Sequence, residues 1–365
     1  MQKIKIVNII SRLVYGGTET VVYNYYKNID KDKFELYIIC MNESNEQAIK
    51  RFEKIGFQVI TVGNWEKNPI REGKKIFKIF KDYKFDIVHA HLSHTSFYFM
   101  ILAKMAKIKH RITHSHLTKK DENLKVKIKH SVYKTLIKLF STNYMACSKA
   151  AAIDLFGKTK NVYILKNAIE IDDFKYSENC RKKYREDLNI KDDEIVYGNI
   201  GRFTAQKNQL FLIDIFYEIS LLDKNIKLLL IGDGELRNDI ISKVKKLNLS
   251  DRTIILSNRE DINNLYQAMD RFILPSLYEG LGIVLIEAQT SGLQCFTSDV
   301  VVPKEAKVTE CCEFISLNKD SKEWANSIIN HKYKKRNSHV EEISKQGYNI
   351  KIESKKLADF YENIM

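Results

Sequence analysis

The 365-residue chain has little proline and glycine and no long apolar run. With only 3 Pro and 14 Gly, it is neither collagen-like nor a low-complexity disordered chain. No apolar run approaches the ~20 residues that a membrane-spanning helix needs. The opening MQKIKIVNIISRLVYGG predicts a buried strand and a glycine turn, and it lacks the small-residue cleavage site of a signal peptide.

The six cysteines are scattered along the chain and form no CxxC pair. This scatter argues against a disulfide framework or a cysteine-rich zinc site and favours a reducing cytoplasm. The composition, 44% hydrophobic and 29% charged, is that of a globular protein. At roughly 150 residues per domain, the length predicts two domains.

Positive charge is concentrated in the first half of the chain. The net charge is +14, and residues 1–170 carry 31 Lys and Arg against 15 Asp and Glu. Such asymmetry favours a polyanionic partner, either nucleic acid, an anionic membrane or a phosphorylated acceptor, with a solvated lysine-rich surface as the alternative. Basic residues interleaved with stacking aromatics are not evident, so we expect no nucleic-acid partner.

Short β-branched runs alternate with stretches of helical periodicity along the chain. This alternation predicts parallel sheets covered by helices on both faces. A polar stretch at 169–194 resembles a domain junction. We therefore predict two α/β, Rossmann-like doubly wound domains that face each other across a cleft, one at 1–170 with a C-terminal helix at 349–365, the other at 171–348. Ligands of such sheets bind beyond the carboxyl ends of the strands.

Five histidines follow two successive predicted strands, in HAHLSH (89–94) and THSH (113–116). The HxHxxH spacing resembles that of binuclear metallohydrolases, although Ser93 stands where those enzymes usually carry Asp. Zinc needs three or four convergent ligands, so we expect no metal here. A histidine that lines a cleft and hydrogen-bonds substrate is favoured, and packed strand-end histidines are the alternative.

Two glycine-containing or basic loops also follow predicted strands. In SRLVYGGTE (11–19), Gly16 and Gly17 would allow a ligand close to a helix N-terminus, which suits phosphate, although a plain tight turn fits equally well. In GRFTAQKN (201–208), Arg202 and Lys207 carry about the charge that a diphosphate needs. In LIGDGEL (230–236) the glycines are expected to be structural.

The segment SLYEGLGIVLIEAQTSG (276–292) is the most specific of these motifs. Glu279 precedes a predicted helix, and Glu287 lies inside it on an otherwise apolar face. A buried carboxylate without a partner is costly unless a ligand satisfies it. Carboxylates accept hydrogen bonds from sugar and ribose hydroxyls, and free N–H groups near 281–283 could hold a phosphate or a hydroxyl.

Together these motifs resemble the GT-B-fold retaining glycosyltransferases of family 4, and within them the bacterial capsular and exopolysaccharide enzymes. The E-x7-E pair Glu279/Glu287, the GGxE turn, the Arg202/Lys207 pair and the strand-end histidines match in the same order. The resemblance implies transfer of a hexose or N-acetylhexosamine from a nucleotide sugar, with UDP expected, to a polyprenyl-diphosphate-linked saccharide. It implies retention at the anomeric carbon and neither metal nor other cofactor.

The resemblance also implies a role for each matching residue. Arg202 and Lys207 would hold the diphosphate, and Glu287 the ribose. The catalytic set would be His114, Glu279, Arg202 and Lys207, with the register between His114 and His116 left open. The donor-binding set would be Gly16, Gly17, Arg202, Lys207, Asn258, Arg259, Glu279, Gly280, Leu281, Gly282, Ile283 and Glu287.

The basic first domain would bind the acceptor and an anionic membrane surface. The residues assigned to this role are His116, Lys119, Lys120, Lys125, Lys127 and Lys129, within a basic and apolar stretch at 117–140. We expect a cytoplasmic protein attached peripherally to the inner face of the cell membrane. The alternatives are another GT-B relative, such as a nucleotide-sugar epimerase or a phosphorylase, a zinc hydrolase at HAHLSH, and a nucleic-acid-binding protein.

Overall fold

The computed structural model describes residues 2–14, 16–116, 124–257, 259–331 and 336–365. The chain forms two compact units, the first comprising Met1–Ala168 and Ile350–Met365, the second Ile169–Asn349. The predicted divisions were after residues 170 and 348.

The first unit is built on a seven-stranded parallel sheet with the order β3-β2-β1-β4-β5-β6-β7. Its strands are β1 Ile4–Ile10, β2 Phe34–Cys40, β3 Phe57–Thr61, β4 Ile87–Ala90, β5 His110–Ser115, β6 Asn143–Ala146 and β7 Tyr163–Ile164. Its helices are α1 Gly17–Lys27, α2 Glu46–Lys54, α3 Pro69–Tyr83, α4 Ser96–Met105, α5 Leu124–Phe140, α6 Lys149–Phe156 and the C-terminal α14 Ile350–Ile364.

The second unit contains a six-stranded parallel sheet with the order β10-β9-β8-β11-β12-β13. Its strands are β8 Ile195–Ile200, β9 Ile226–Ile231, β10 Thr253–Leu256, β11 Arg271–Leu274, β12 Gln294–Ser298 and β13 Cys312–Ile315. Its helices are α7 Glu178–Asp187, α8 Gln209–Leu222, α9 Arg237–Lys246, α10 Ile262–Ala268, α11 Ile283–Thr290, α12 Ser321–Ile329 and α13 Val340–Ile343.

The central strands of both sheets are apolar on both faces, as strands covered by helices on each side must be. In β1, Ile6, Val7, Ile9 and Ile10 are at most 1% exposed. In β9, the run Leu228–Ile231 is buried to the same degree. The predicted α/β class with two doubly wound sheets is confirmed.

The polar stretch at 169–194 is not a bare junction, because it contains helix α7. Its Arg185 is 1% exposed and donates hydrogen bonds to the carbonyl oxygens of Ala268 at 3.1 Å and Glu194 at 2.6 Å. The charged residues of α7 therefore belong to a packed element of the second unit. Strand β13, which we did not predict, extends the same sheet by pairing with β12.

The two glycines after β9 are explained by packing. A Cβ on Gly232 would lie 2.1 Å from the carbonyl oxygen of Gly201, and one on Gly234 would lie 2.4 Å from that of Phe203. This close approach of two backbones leaves room only for glycine. It keeps the loops after β8 and β9 together at the carboxyl edge of the sheet.

Candidate functional site

Two loops at the carboxyl edge of the second sheet are joined by hydrogen bonds. One follows β8 and the other follows β11, and these strands are neighbours. The amide of Leu277 donates to the carbonyl of Gln206 at 2.8 Å, and Nε2 of Gln206 donates to the carbonyl of Tyr278 at 3.0 Å. Nδ2 of Asn208 donates to the carbonyl of Pro275 at 3.1 Å. Two segments about 70 residues apart in sequence thereby form one surface.

This surface brings Lys207 and Glu279 into direct contact. The ammonium of Lys207 lies 2.6 Å from Oε1 of Glu279, and the hydroxyl of Ser276 donates to the same oxygen at 2.7 Å. Glu279 is 5% exposed. A Cβ on Gly201 would lie 3.3 Å from Cε of Lys207, so the glycine gives the lysine stem its path. The carboxylate is thus held in one orientation by two donors.

Glu287 is buried within α11 and has a partner that the sequence did not reveal. It is 7% exposed, and the hydroxyl of Tyr266 donates to Oε2 at 2.8 Å. Burial raises the pKa of Glu287 to about 7, although the Tyr266 hydrogen bond and the charge of Lys207 act in the opposite direction. Near neutral pH this group therefore exists in both its protonated and its ionised form, and a ligand that hydrogen-bonds the carboxylate would favour the ionised one.

The N-terminus of α11 lies directly after Glu279 in the chain. The N-cap residue Gly282 has φ +78°, in the left-handed region that favours glycine. The first-turn N–H groups of a helix have no acceptor within the helix. The segment Gly280–Ile283 is buried, so its backbone can present these donors to a ligand next to Glu279 and Lys207.

The other residues of the second unit that we predicted to bind the sugar donor differ in the partners that they have. Arg202 is exposed, and its guanidinium has no partner among the residues that the structure describes. Arg259 instead forms a bidentate ion pair with Asp261, at 2.7 and 2.6 Å. Asn258 lies outside the described residues. Arg202 therefore has no ion pair to break within the described part of the chain, whereas Arg259 would have to leave Asp261 to contact a ligand.

Gly16 and Gly17 lie at the N-terminus of α1, directly after β1. Gly16 is the N-cap and has no capping side chain, and the helix begins at Gly17. Within the described ranges, a Cβ on Gly17 would meet no atom within 4 Å. Neither packing against the described residues nor a positive φ requires glycine at this position, and its role in the approach of a ligand stays a prediction.

Four of the predicted histidines form a buried cluster at the carboxyl edge of the first sheet. Nε2 of His89 lies 3.1 Å from Nδ1 of His114, and Nδ1 of His91 lies 2.8 Å from Nε2 of His116. Burial lowers the pKa of His89 and of His116 to about 3, and those of His91 and His114 well below the usual value. All four rings are neutral at physiological pH, when each has one N–H and one acceptor nitrogen.

The HxHxxH run does not converge on one point. His94 stacks on His130, with ring centroids 4.0 Å apart, rather than joining His89 and His91. Nitrogens of His89, His91 and His114 do lie within 4.8 Å of one another, a spacing that a metal ion could bridge. Four nitrogens of these three rings already form ring-to-ring or ring-to-Asn8 hydrogen bonds. The absence of a metal remains a prediction.

His114 and His116 differ in accessibility. His114 is fully buried and its Nε2 has no hydrogen-bond partner among the described residues, whereas His116 is 7% exposed and follows the last residue of β5. The structure therefore gives His116 the better access to a ligand. Because neither histidine has been tested, the assignment of His114 as the catalytic one stays a prediction.

The predicted membrane-binding residues are only partly described. Lys125, Lys127 and Lys129 are exposed on α5, whereas Lys119 and Lys120 lie outside the described residues. The same helix exposes apolar side chains, with Ile128 at 59% and Val132 at 52%. Within the described part of the chain, no helix is both long and apolar enough to span a membrane.

The comparison with known families covers both units. The family model described as Glycosyltransferase Family 4 matches residues 15–173, and that of the glycosyl transferases group 1 matches residues 181–349. Together with the parallel two-sheet architecture, these matches show that the chain belongs to the family 4 type of GT-B-fold glycosyltransferases.

Individual proteins that resemble this chain are also named as glycosyltransferases. The chain is 29% identical over 334 residues to the putative glycosyltransferase EpsF of Bacillus subtilis (strain 168), covering 89% of this chain and 86% of EpsF. It is 28% identical over 313 residues to an Escherichia coli UDP-Gal:alpha-D-GlcNAc-diphosphoundecaprenol alpha-1,3-galactosyltransferase, covering 82% of this chain and 80% of that enzyme. The structure of Anabaena HepE with UDP and glucose has the same fold, with a TM-score of 0.82, 18% identity and coverage of 98% and 99%.

Proposed function

We propose that this enzyme transfers a hexose or N-acetylhexosamine from a UDP-sugar to a polyprenyl-diphosphate-linked saccharide during capsular or exopolysaccharide synthesis. The observation that carries the proposal is the Lys207–Glu279 pair beside the N-terminus of α11, with Glu287 in the same helix. The names of relatives support the substrates. The E. coli relative is named for UDP-Gal and a diphosphoundecaprenol acceptor, and CapH of Staphylococcus aureus, 25% identical, for capsular polysaccharide biosynthesis.

In this proposal the donor diphosphate is neutralised by the protein alone. Arg202 and Lys207 supply two cations, and the N–H groups at Gly280–Ile283 supply donors to a phosphate or a sugar hydroxyl. Glu287 accepts hydrogen bonds from the ribose. Departure of the nucleotide is helped by the same positive charge, so the reaction needs neither metal nor another cofactor.

We propose retention at the anomeric carbon from the resemblance to family 4, and front-face displacement because the described residues around Glu279 include no evident nucleophile. The Glu279 carboxylate is held by Lys207 and Ser276 and orients sugar hydroxyls. The leaving phosphate then accepts the proton of the attacking hydroxyl on the same face of the sugar. The acceptor is held by the first unit, and the enzyme works at the inner face of the cell membrane, with α5 contacting anionic lipid through its lysines and exposed apolar residues.

The experiment is calorimetric titration of chelator-treated protein with UDP, GDP and ADP. We expect selective UDP binding that Glu287→Ala weakens at least tenfold and that Glu310→Gln, a change at an exposed carboxylate in the same unit, leaves intact. UDP-sugar turnover with a lipid-linked acceptor, followed by NMR of the product anomer, then tests transfer and retention. Binding of none of the three nucleotides would contradict the proposal. Conversion of the UDP-sugar without transfer would also contradict it and would favour the epimerase alternative.

A further inference from the structure

The histidine cluster contains a hydrogen-bonded chain that begins deep in the first sheet. Asn8 lies inside β1 and is fully buried. Its Oδ1 lies 2.9 Å from Nε2 of His91, and Nδ1 of His91 lies 2.8 Å from Nε2 of His116. The chain Asn8–His91–His116 therefore runs from the sheet interior to the residue that follows β5.

The direction of this chain is fixed by its first member. An amide oxygen can only accept a hydrogen bond, so Nε2 of His91 carries the proton. Because His91 is neutral, its Nδ1 is then an acceptor and receives the Nε2–H of His116. His116 is neutral as well, which leaves its Nδ1 without a proton. No described residue hydrogen-bonds to that nitrogen, so its lone pair is available to a ligand.

The neighbouring chain ends on a tyrosine hydroxyl rather than on an amide oxygen. Nδ1 of His89 lies 2.7 Å from the hydroxyl of Tyr361, and Nε2 of His89 faces Nδ1 of His114. A tyrosine hydroxyl both donates and accepts, so this chain can run in either direction. The chain that starts at Asn8 with its oxygen facing His91 therefore dictates the proton position on its terminal histidine.

We propose that Asn8 is a positioning residue that acts through His91 to hold His116 as the Nε2–H tautomer, which leaves Nδ1 of His116 as the acceptor for a hydroxyl of a sugar substrate. The ligand in this inference rests on the proposed glycosyltransfer. Second-sphere partners commonly fix the tautomer of a functional histidine in this way. His116 orients the hydroxyl and does not remove its proton, because the low pKa of the buried ring makes it a poor base.

The test is NMR of the full-length, chelator-treated protein labelled with 15N-histidine. In the wild-type protein we expect protonated Nε2 and unprotonated Nδ1 in both His91 and His116. Asn8→Leu removes the acceptor at nearly constant volume. We then expect both protons to move to Nδ1, because the Nε2–H of His91 would otherwise be buried without an acceptor, whereas an Nδ1–H of His91 donates to Nε2 of His116. The signals of His339, which lies in the second unit, should not change, which provides an internal control.

Kinetics of the same variants separate positioning from a structural role. Asn8→Leu should lower kcat about tenfold, the value of roughly one hydrogen bond, with UDP affinity unchanged. Tyr25→Phe is the matched control, since it removes a buried hydroxyl of the same unit that donates to the carbonyl of Lys166 at 2.6 Å. It should alter neither the tautomers of His91 and His116 nor kcat.

Two kinds of result would overturn the inference. The first is a wild-type His116 protonated on Nδ1, or tautomers that Asn8→Leu does not change in an active enzyme. The second is binding of one zinc ion per chain to the chelator-treated protein with shifts at these nitrogens, which would make them metal ligands. Failure of transfer with every UDP-sugar would instead refute the proposed function and the sugar ligand, while the NMR result would still decide whether Asn8 sets the tautomer.

Discussion

At the scale of single residues, Glu287 is held in a position where ionisation of its carboxyl costs stability. Its pKa, about 7 against the usual 4.5, shows that the fold favours the protonated form. The contribution of Glu287 to stability is therefore fully present below about pH 4.5 and is lost as the pH rises through 7. A shift of this size corresponds to about 3 kcal/mol of unfolding free energy.

We predict that Glu287→Gln stabilises the ligand-free protein above pH 7. The neutral amide avoids the cost of a buried charge, so the free energy of unfolding should rise by up to about 3 kcal/mol at pH 8. The gain should shrink towards zero at pH 4.5, and UDP binding should weaken at least tenfold. Denaturant unfolding between pH 4.5 and 8 measures the effect. Equal stability of variant and wild type at pH 8 would show that Glu287 is not destabilising when ionised.

In the first unit, a substitution at Gly17 should likewise change stability and function in opposite directions. Because a Cβ there meets no described atom within 4 Å, Gly17→Ala should be tolerated and can stabilise α1 by about 0.4–1 kcal/mol. We predict that it nevertheless lowers kcat/KM for the UDP-sugar at least tenfold, since the methyl group would intrude where we propose that the phosphate approaches. Thermal unfolding measures the change in stability, and steady-state kinetics measure the change in kcat/KM. Unchanged kinetics would assign Gly17 to an ordinary turn.

At the scale of elements, the loops after β8 and β11 are joined by the ion pair between Lys207 and Glu279. We predict that Lys207→Met and Glu279→Gln each lower kcat by about 10²–10³-fold, the range found when one transition-state hydrogen bond is removed. The double variant should be little worse than either single one, because the two groups orient each other. Multiplicative losses in this cycle would mean that the two residues act independently.

Helix α5 is the element for which we predict binding to an anionic membrane. Changing Ile128 and Val132 to Asn should reduce flotation with anionic vesicles severalfold and leave UDP affinity unaltered, because both side chains are exposed and apolar. Ile153→Asn on α6 is the matched control, since this isoleucine is 57% exposed in the same unit. Equal flotation with neutral and anionic vesicles at low salt would contradict the role of the lysines.

The elements also show what a sequence can predict. The alternation of apolar runs and helical spacing was sufficient for the α/β class, because it depends on local periodicity. Helix α7 was missed since its polar residues, Arg185 among them, are satisfied by partners distant in sequence. The Tyr266 partner of Glu287 could not be found for the same reason, since it lies on α10 and no spacing marks it.

At the scale of the whole molecule, the first unit is completed only by the last helix of the chain. In α14, Leu357 and Tyr361 are at most 1% exposed. The hydroxyl of Tyr361 lies 2.5 Å from that of Tyr26, and Lys33 forms an ion pair of 2.8 Å with Glu362. The second unit, in contrast, is formed by one continuous segment, Ile169–Asn349.

This unequal construction predicts that removal of residues 350–365 destabilises the first unit selectively. Losing α14 exposes apolar core surface and removes the Tyr361 partner of the Tyr26 hydroxyl and of His89 Nδ1, whereas the second unit loses none of its own residues. The two tryptophans allow the units to be followed separately, since Trp65 belongs to the first and Trp324 to the second. In the truncated chain, fluorescence of Trp65 in a Trp324→Phe background should show unfolding at lower denaturant concentration. Fluorescence of Trp324 in a Trp65→Phe background should keep its midpoint and still shift upward with UDP. A loss of the UDP-dependent shift on truncation would mean that the nucleotide site needs the first unit as well.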